Sequence, residues 1–149
     1  MNLSQDQLWT AAHFCMAFKA RKASRSASRV YAEALAPLGL EVTQFSLLTA
    51  CSLANGIAVT PLAKIMGMEQ SALVRALAVL EKNGLVTLTP GQDRRVRHVA
   101  LTPAGEDQLE AAWPLWNRIQ TQVEQAFGAE RMRHLISELG QFEAVLTAL

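Results

Sequence analysis

The chain has little of most features that mark a protein for a specialised setting. Its 149 residues include only two cysteines, Cys15 and Cys51, too few for a disulfide framework. A reducing, cytoplasmic location is therefore the expectation. No uninterrupted apolar run approaches the ~18 residues that a membrane span needs, although half the residues are hydrophobic. The opening MNLSQDQLWTAAHF lacks a basic n-region and a small-residue cleavage site, which argues against a secretory leader. HExxH, GxSxG and Walker-type motifs are missing, and no His, Cys or carboxylate pair has metal-ligand spacing. An enzyme, a bound metal and a cofactor are thus not expected. Prolines (five) and glycines (eight) are few, and most fall where a helix should start or stop, so one mainly helical domain is expected.

Charge is sparse at 18% of residues and nearly balanced at a net +1, but it is unevenly placed. Residues 1–101 carry eleven Lys/Arg against six Asp/Glu, a net of +5; residues 102–149 carry three against seven, a net of −4. One end that faces an anion and another that self-associates would produce that asymmetry.

Helix signals recur along the chain. Ser4 and Gln7 have capping-box spacing and open a helical stretch that runs to about APLGL at 36–40. Thr43 is the expected cap of a second helix, closed by Asn55-Gly56. After an extended IAV, Thr60-Pro61 reads as a cap and first-turn proline for a short helix stopping at Gly67. The next helix spans about Glu69 to Asn83 and ends at Gly84. LVTLT and RHVALT alternate as two short antiparallel strands, and Thr102-Pro103 launches the C-terminal helices. Leu109, Trp113, Trp116, Val123 and Phe127 in the first of these, and Leu135, Leu139, Phe142, Leu146 and Leu149 in the second, form apolar seams suited to helix packing and to a homodimer. Pro114 should kink the first.

Two short helices joined at Gly67-Met68, with a basic hairpin after the second, have the order of a winged helix-turn-helix. Leu62 and Ile65 are placed to pack on Leu73 and Leu77, which leaves Gln70, Ser71, Val74 and Arg75 near a free helix N-terminus. Arg can bond a guanine edge and Gln an adenine edge in a major groove. Lys64 and Lys82 suit phosphates, which position a protein without reading bases. Between the strands, Arg94, Arg95 and Arg97 fall within four residues, as expected of a hairpin that reaches a minor groove; Asp93 could hold Arg95 by a charge-assisted bond. Lys19, Arg21, Lys22, Arg25 and Arg29 form a further basic run, read either as a solvated face or as a contact to flanking DNA.

LAKIMGMEQSALVRALAVLEKNGLV followed by DRRVRHVALTPAG resembles the MarR (multiple antibiotic resistance) transcriptional regulators, and the likeness extends from LGLEVTQFSLL to the final helices. The resemblance implies a homodimeric winged helix-turn-helix that binds a pseudo-palindromic double-stranded operator, usually as a repressor released by a small phenolic ligand or an oxidant. It puts the wing pair on Asp93 and Arg95 and recognition-helix contacts on Gln70, Ser71, Val74 and Arg75. The expected layout is one regulator domain over 1–149, with a DNA-binding core at 41–101 and dimerisation helices at 1–40 and 102–149. Trp9, His13, Phe45 and Trp113 are candidate lining for an inducer pocket. Cys15, among Phe14, Met16 and Phe18, reads as a buried, inert thiol, with oxidant sensing as the alternative function. A winged helix that grips only another protein is a further alternative, disfavoured by the charge of the wing.

Overall fold

Leu73, Leu77 and Leu80 recur at four and three residues on the helix α5 (Gln70–Lys82), and all three are fully buried. Around that stripe the computed structural model, which describes residues 2–91 and 96–149, assembles seven helices and a three-stranded antiparallel sheet. Helices α1 (Gln5–Phe14) and α2 (Met16–Leu35) lead through a 3-10 turn (Ala36–Leu38) into α3 (Val42–Ala54). Strand β1 (Ile57–Ala58) and helix α4 (Val59–Ile65) precede α5, and the hairpin β2 (Val86–Pro90) and β3 (Arg97–Leu101) follows it. Helices α6 (Pro103–Phe127) and α7 (Ala129–Thr147) complete the chain. β3 is the central strand, pairing Val86 to Pro90 of β2 with Leu101 to Arg97, and Ile57 of β1 with Val99.

Several local expectations need correction. The first helical stretch is two helices: Cys15 leaves helical geometry at φ −68°, ψ 103°. The Ser4–Gln7 capping box does open α1, with both reciprocal bonds made. Glu41, not Thr43, caps α3; its carboxylate and the Gln44 side chain exchange bonds with each other's backbone. Helix α4 begins at Val59, so Thr60 is not its cap and Pro61 is its third residue; a proline there still removes only a donor that the helix leaves unpaired. Thr102 behaves as expected, accepting from the Gly105 N–H at 3.0 Å while donating to the Gly84 carbonyl at 2.6 Å. Helix α6 runs on through Pro114, which does not end it.

The core lies in the middle of the chain. Leu35, Leu47, Leu48, Leu62, Leu73, Leu77, Leu80, Val86 and Val99 are shut from water, each worth roughly 1.5–3 kcal/mol by burial. Helix α6 antiparallels α2, tied by a Tyr31–Gln120 side-chain bond and by Gln108 Nε2 donating to the Leu38 carbonyl at 3.1 Å. By contrast α1 and α7 have no fully buried residue. Their apolar side chains, Trp9, Phe14, Leu139 and Leu146 among them, are left in water by the single chain. Among the described residues no single helix is long and apolar enough to cross a membrane.

Candidate functional site

Packing fixes which face of α5 is free. With Leu73, Leu77 and Leu80 committed to the core, Gln70, Ser71, Val74 and Arg75 are exposed together over its first two turns. Leu62 of α4 is buried against the same core. Ile65 departs from the expectation: it is 64% exposed and faces a cleft on the side of α3 and α6. The α4–α5 turn closes through Met68 N–H to the Ala63 carbonyl at 2.9 Å, with Gly67 in the left-handed region at φ 58°.

The wing strand stands beside the recognition face. Gln70 and Val74 of α5 share a small cavity of about 110 Å³ with Thr60, Val96 and Arg97. Gly91 N–H donates to the Val96 carbonyl at 2.7 Å and closes the hairpin base. Asp93, Arg94 and Arg95 lie outside the described residues, between these anchors. Lys64 joins Gln70 along a second cavity over the α4–α5 turn, whose far wall is Thr147 of α7. The Glu143 carboxylate lies 3.5 Å from where a Cβ on Gly67 would sit, so α7 reaches the turn of its own chain. Lys82 is exposed at the other end of α5, about 18 Å from Gln70 at 1.5 Å per residue. It is not gathered with the rest.

Within the single chain the four residues expected to line an inducer pocket are not gathered around one cavity. Trp9 and His13 stack on each other at 4.3 Å on α1, and neither lines a cavity with Phe45. Instead Phe45 stacks on Trp116 at 5.8 Å, and Trp113 stacks behind Trp116 at 5.3 Å. Phe45 and Trp116 wall an apolar cleft of about 560 Å³ between α3, α4 and α6. Trp116, Ile65 and Met66 line this cleft and were not among the pocket candidates. Trp116 was legible only as part of a packing seam.

The basic run on α2 is solvent-exposed, with Phe18, Lys22, Arg25 and Arg29 along one groove. Of the two thiols, Cys51 is buried as expected, and loss of solvation pushes it up to about 11. In the single chain Cys15 is exposed at the α1–α2 break, where a buried thiol was expected. A thiolate is the reacting species. A disulfide reagent at pH 8 should therefore modify one thiol per native chain, and Cys15→Ser should abolish that reaction. Two equivalents reacting at the same rate would contradict the burial of Cys51.

An α4–turn–α5 unit with a hairpin held against its second helix defines a winged helix-turn-helix. A family model described as MarR family matches residues 38–95. The M. tuberculosis transcriptional regulator MosR, solved in complex with DNA, is 36% identical over 89% of this chain and 98% of that one, at a TM-score of 0.80. The chain belongs to the MarR family, a family of transcriptional regulators rather than enzymes. The same fold is seen in an E. coli MarR mutant complexed with operator DNA, at 23% identity over 89% of this chain and 96% of that one. It is seen again in the transcriptional repressor CouR bound to a 23-mer DNA duplex, at 24% identity over 96% of this chain and 99% of that one. Both have TM-scores of 0.80.

Proposed function

We propose that two copies of this chain bind a pseudo-palindromic DNA operator and repress transcription in the cytoplasm until a small aromatic ligand releases them. The observation that carries the reading is the α5 face: Gln70, Ser71, Val74 and Arg75 are exposed together beside Arg97 of the wing strand. Residues 41–101 act as the reading core, and 1–40 with 102–149 pair the copies. Supporting the pairing, α7 has no fully buried residue in the single chain and leaves Leu135, Leu139 and Leu146 exposed. Two recognition helices then enter major grooves about one helical turn, ~34 Å, apart. Lys64, Arg94 and Arg97 hold phosphates, while Arg95, braced by Asp93, enters the minor groove; Lys82 is left as a contact at the edge of the site. The ligand occupies the Phe45–Trp116 cleft, where it bears on Ile65 and Met66 at the end of α4 and so on the angle of the reading unit.

The test begins by selecting bound fragments from the host's genomic DNA, then compares variants on the recovered operator. Arg95→Ala should weaken binding by about 1–3 kcal/mol on all sequences alike, and Arg75→Ala by a similar amount with relaxed preference at one base pair. Wild-type affinity in Arg95→Ala would remove the wing from the account. A second reading is favoured by the exposure of Cys15, namely release by an oxidant. A Cys15→Ser protein that still leaves the operator on peroxide treatment would exclude it.

A further inference from the structure

Helical geometry divides the exposed face of α5 in two. Gln70 and Leu77 are about two turns apart, so they lie on one side of the helix, with Val74 between them. Leu77 is buried, and that side leans toward the wing. Ser71, Arg75 and Ala78 lie roughly a quarter-turn further round, and all are exposed. The notch between α5 and the wing strand holds three side chains that can donate to an anion. They are the Thr60 hydroxyl from α4, the Gln70 amide from α5 and the Arg97 guanidinium from β3. The walls are otherwise apolar, and Val74 and Val96 remain 41% and 39% exposed there. Among the described residues that line the notch none is acidic. At about 110 Å³ it is well below the ~300 Å³ at which small-molecule sites begin.

A duplex that admits α5 to its major groove and the wing to the adjacent minor groove has one sugar–phosphate strand between the two. Whatever α5 and β3 present to each other therefore meets that strand and not a base edge. A strand is a line of anions, and the notch has a continuation. Thr60 and Gln70 are also walls of the neighbouring hollow, which holds Lys64. Arg97, the Thr60–Gln70 pair and Lys64 thus follow one another across the surface. Glu69 and Glu143 border the second hollow, which leaves the first as the better seat for a phosphate. We infer that Gln70 and Val74 position the duplex and read no base. Thr60, Gln70 and Arg97 hold one phosphate per half-site, the Val74–Val96 pair takes the adjoining deoxyribose, and base reading is left to Ser71 and Arg75. The inference rests on the DNA-binding reading and reassigns Gln70 within it.

The experiment uses the full-length protein at low salt with two probes, the operator recovered by genomic selection and a scrambled duplex of the same length and composition. Gln70→Ala and Thr60→Val should each weaken both complexes by the same factor, about tenfold, because a hydrogen bond to a charged group is lost and no base contact with it. Selection from a randomised operator library should return wild-type base preferences with Gln70→Ala and a relaxed preference at one base pair with Arg75→Ala. Single methylphosphonate linkages, each removing one phosphate charge, should locate one position per half-site at which Gln70→Ala has no further effect. Uracil in place of thymine should change the affinity of wild type and Val74→Ala alike. Unchanged affinity or relaxed base preference in Gln70→Ala would overturn the inference and leave the DNA-binding reading intact. The same holds for a methyl effect that disappears in Val74→Ala, or for the lack of any such methylphosphonate position. Wild-type protein that binds neither duplex would overturn the DNA-binding reading and the inference with it.

Discussion

Replacing Gly105 by alanine is expected to lower stability by about 4 kcal/mol and the melting temperature by roughly 10 °C. Gly105 sits in the first turn of α6, where Thr102 caps the helix and also bonds the end of α5. A Cβ there would fall on the Leu85 carbonyl oxygen and 3.0 Å from its carbon. That carbonyl is backbone, and it already accepts from Thr102 N–H at 3.1 Å, so no side-chain rotation can relieve the clash. The substitution must pry α6 from the junction of α5 and β2, against which its first turn is packed. Gly140 is the contrast. It lies inside α7 with nothing within 4 Å of a Cβ, and alanine there should gain about 0.5–1 kcal/mol of helix propensity. Thermal unfolding of the two variants checks both; a Gly105→Ala protein that melts with wild type would show the helix–strand junction to be looser than described.

The second large effect concerns α7. Leu135, Ile136, Leu139, Val145 and Leu146 are between 42% and 60% exposed in the single chain, an unusual apolar display for a surface helix. If a second copy covers them, Leu135→Glu with Leu139→Glu places two uncompensated carboxylates in the seam, and symmetry repeats them. Burying an unpaired charge costs several kcal/mol, so the dimer should part at micromolar concentrations. Each monomer would then hold one half-site, losing the effective concentration that linkage supplies, and operator affinity should fall at least about 100-fold. Light scattering and gel shift report the two outcomes separately. Unchanged mass would place the interface elsewhere.

Sequence signals spoke most clearly where they were local. Helix α5 was legible because its Leu73–Leu77–Leu80 stripe is bounded by Gly84, which takes φ 73°, and α6 because Thr102-Pro103 is an unambiguous start. The reading face follows from that stripe by subtraction. The break at Cys15 was not legible, since no glycine or proline marks it and the turn is set by backbone geometry alone. Ile65 misled because Leu62 and Ile65 are three residues apart on a seven-residue helix: one face meets α5 and the neighbouring one meets α3 and α6. The cleft draws on residues 42–54, 65–66 and 116, and only tertiary packing brings those together. Trp9 and His13 share aromatic chemistry with that wall but not its location.

If a pair of chains grips duplex DNA through α5 and the arginine-bearing hairpin, stoichiometry and salt dependence must both show it. Light scattering of the protein with its genomically selected operator, combined with affinity measured across a salt series, reads out both. Two chains per duplex are expected, with a logarithmic affinity that falls steeply with salt and a slope shallower by about one in Arg97→Ala. A single chain in solution whose binding to duplex DNA is absent at low salt, or indifferent to salt, would contradict that grip.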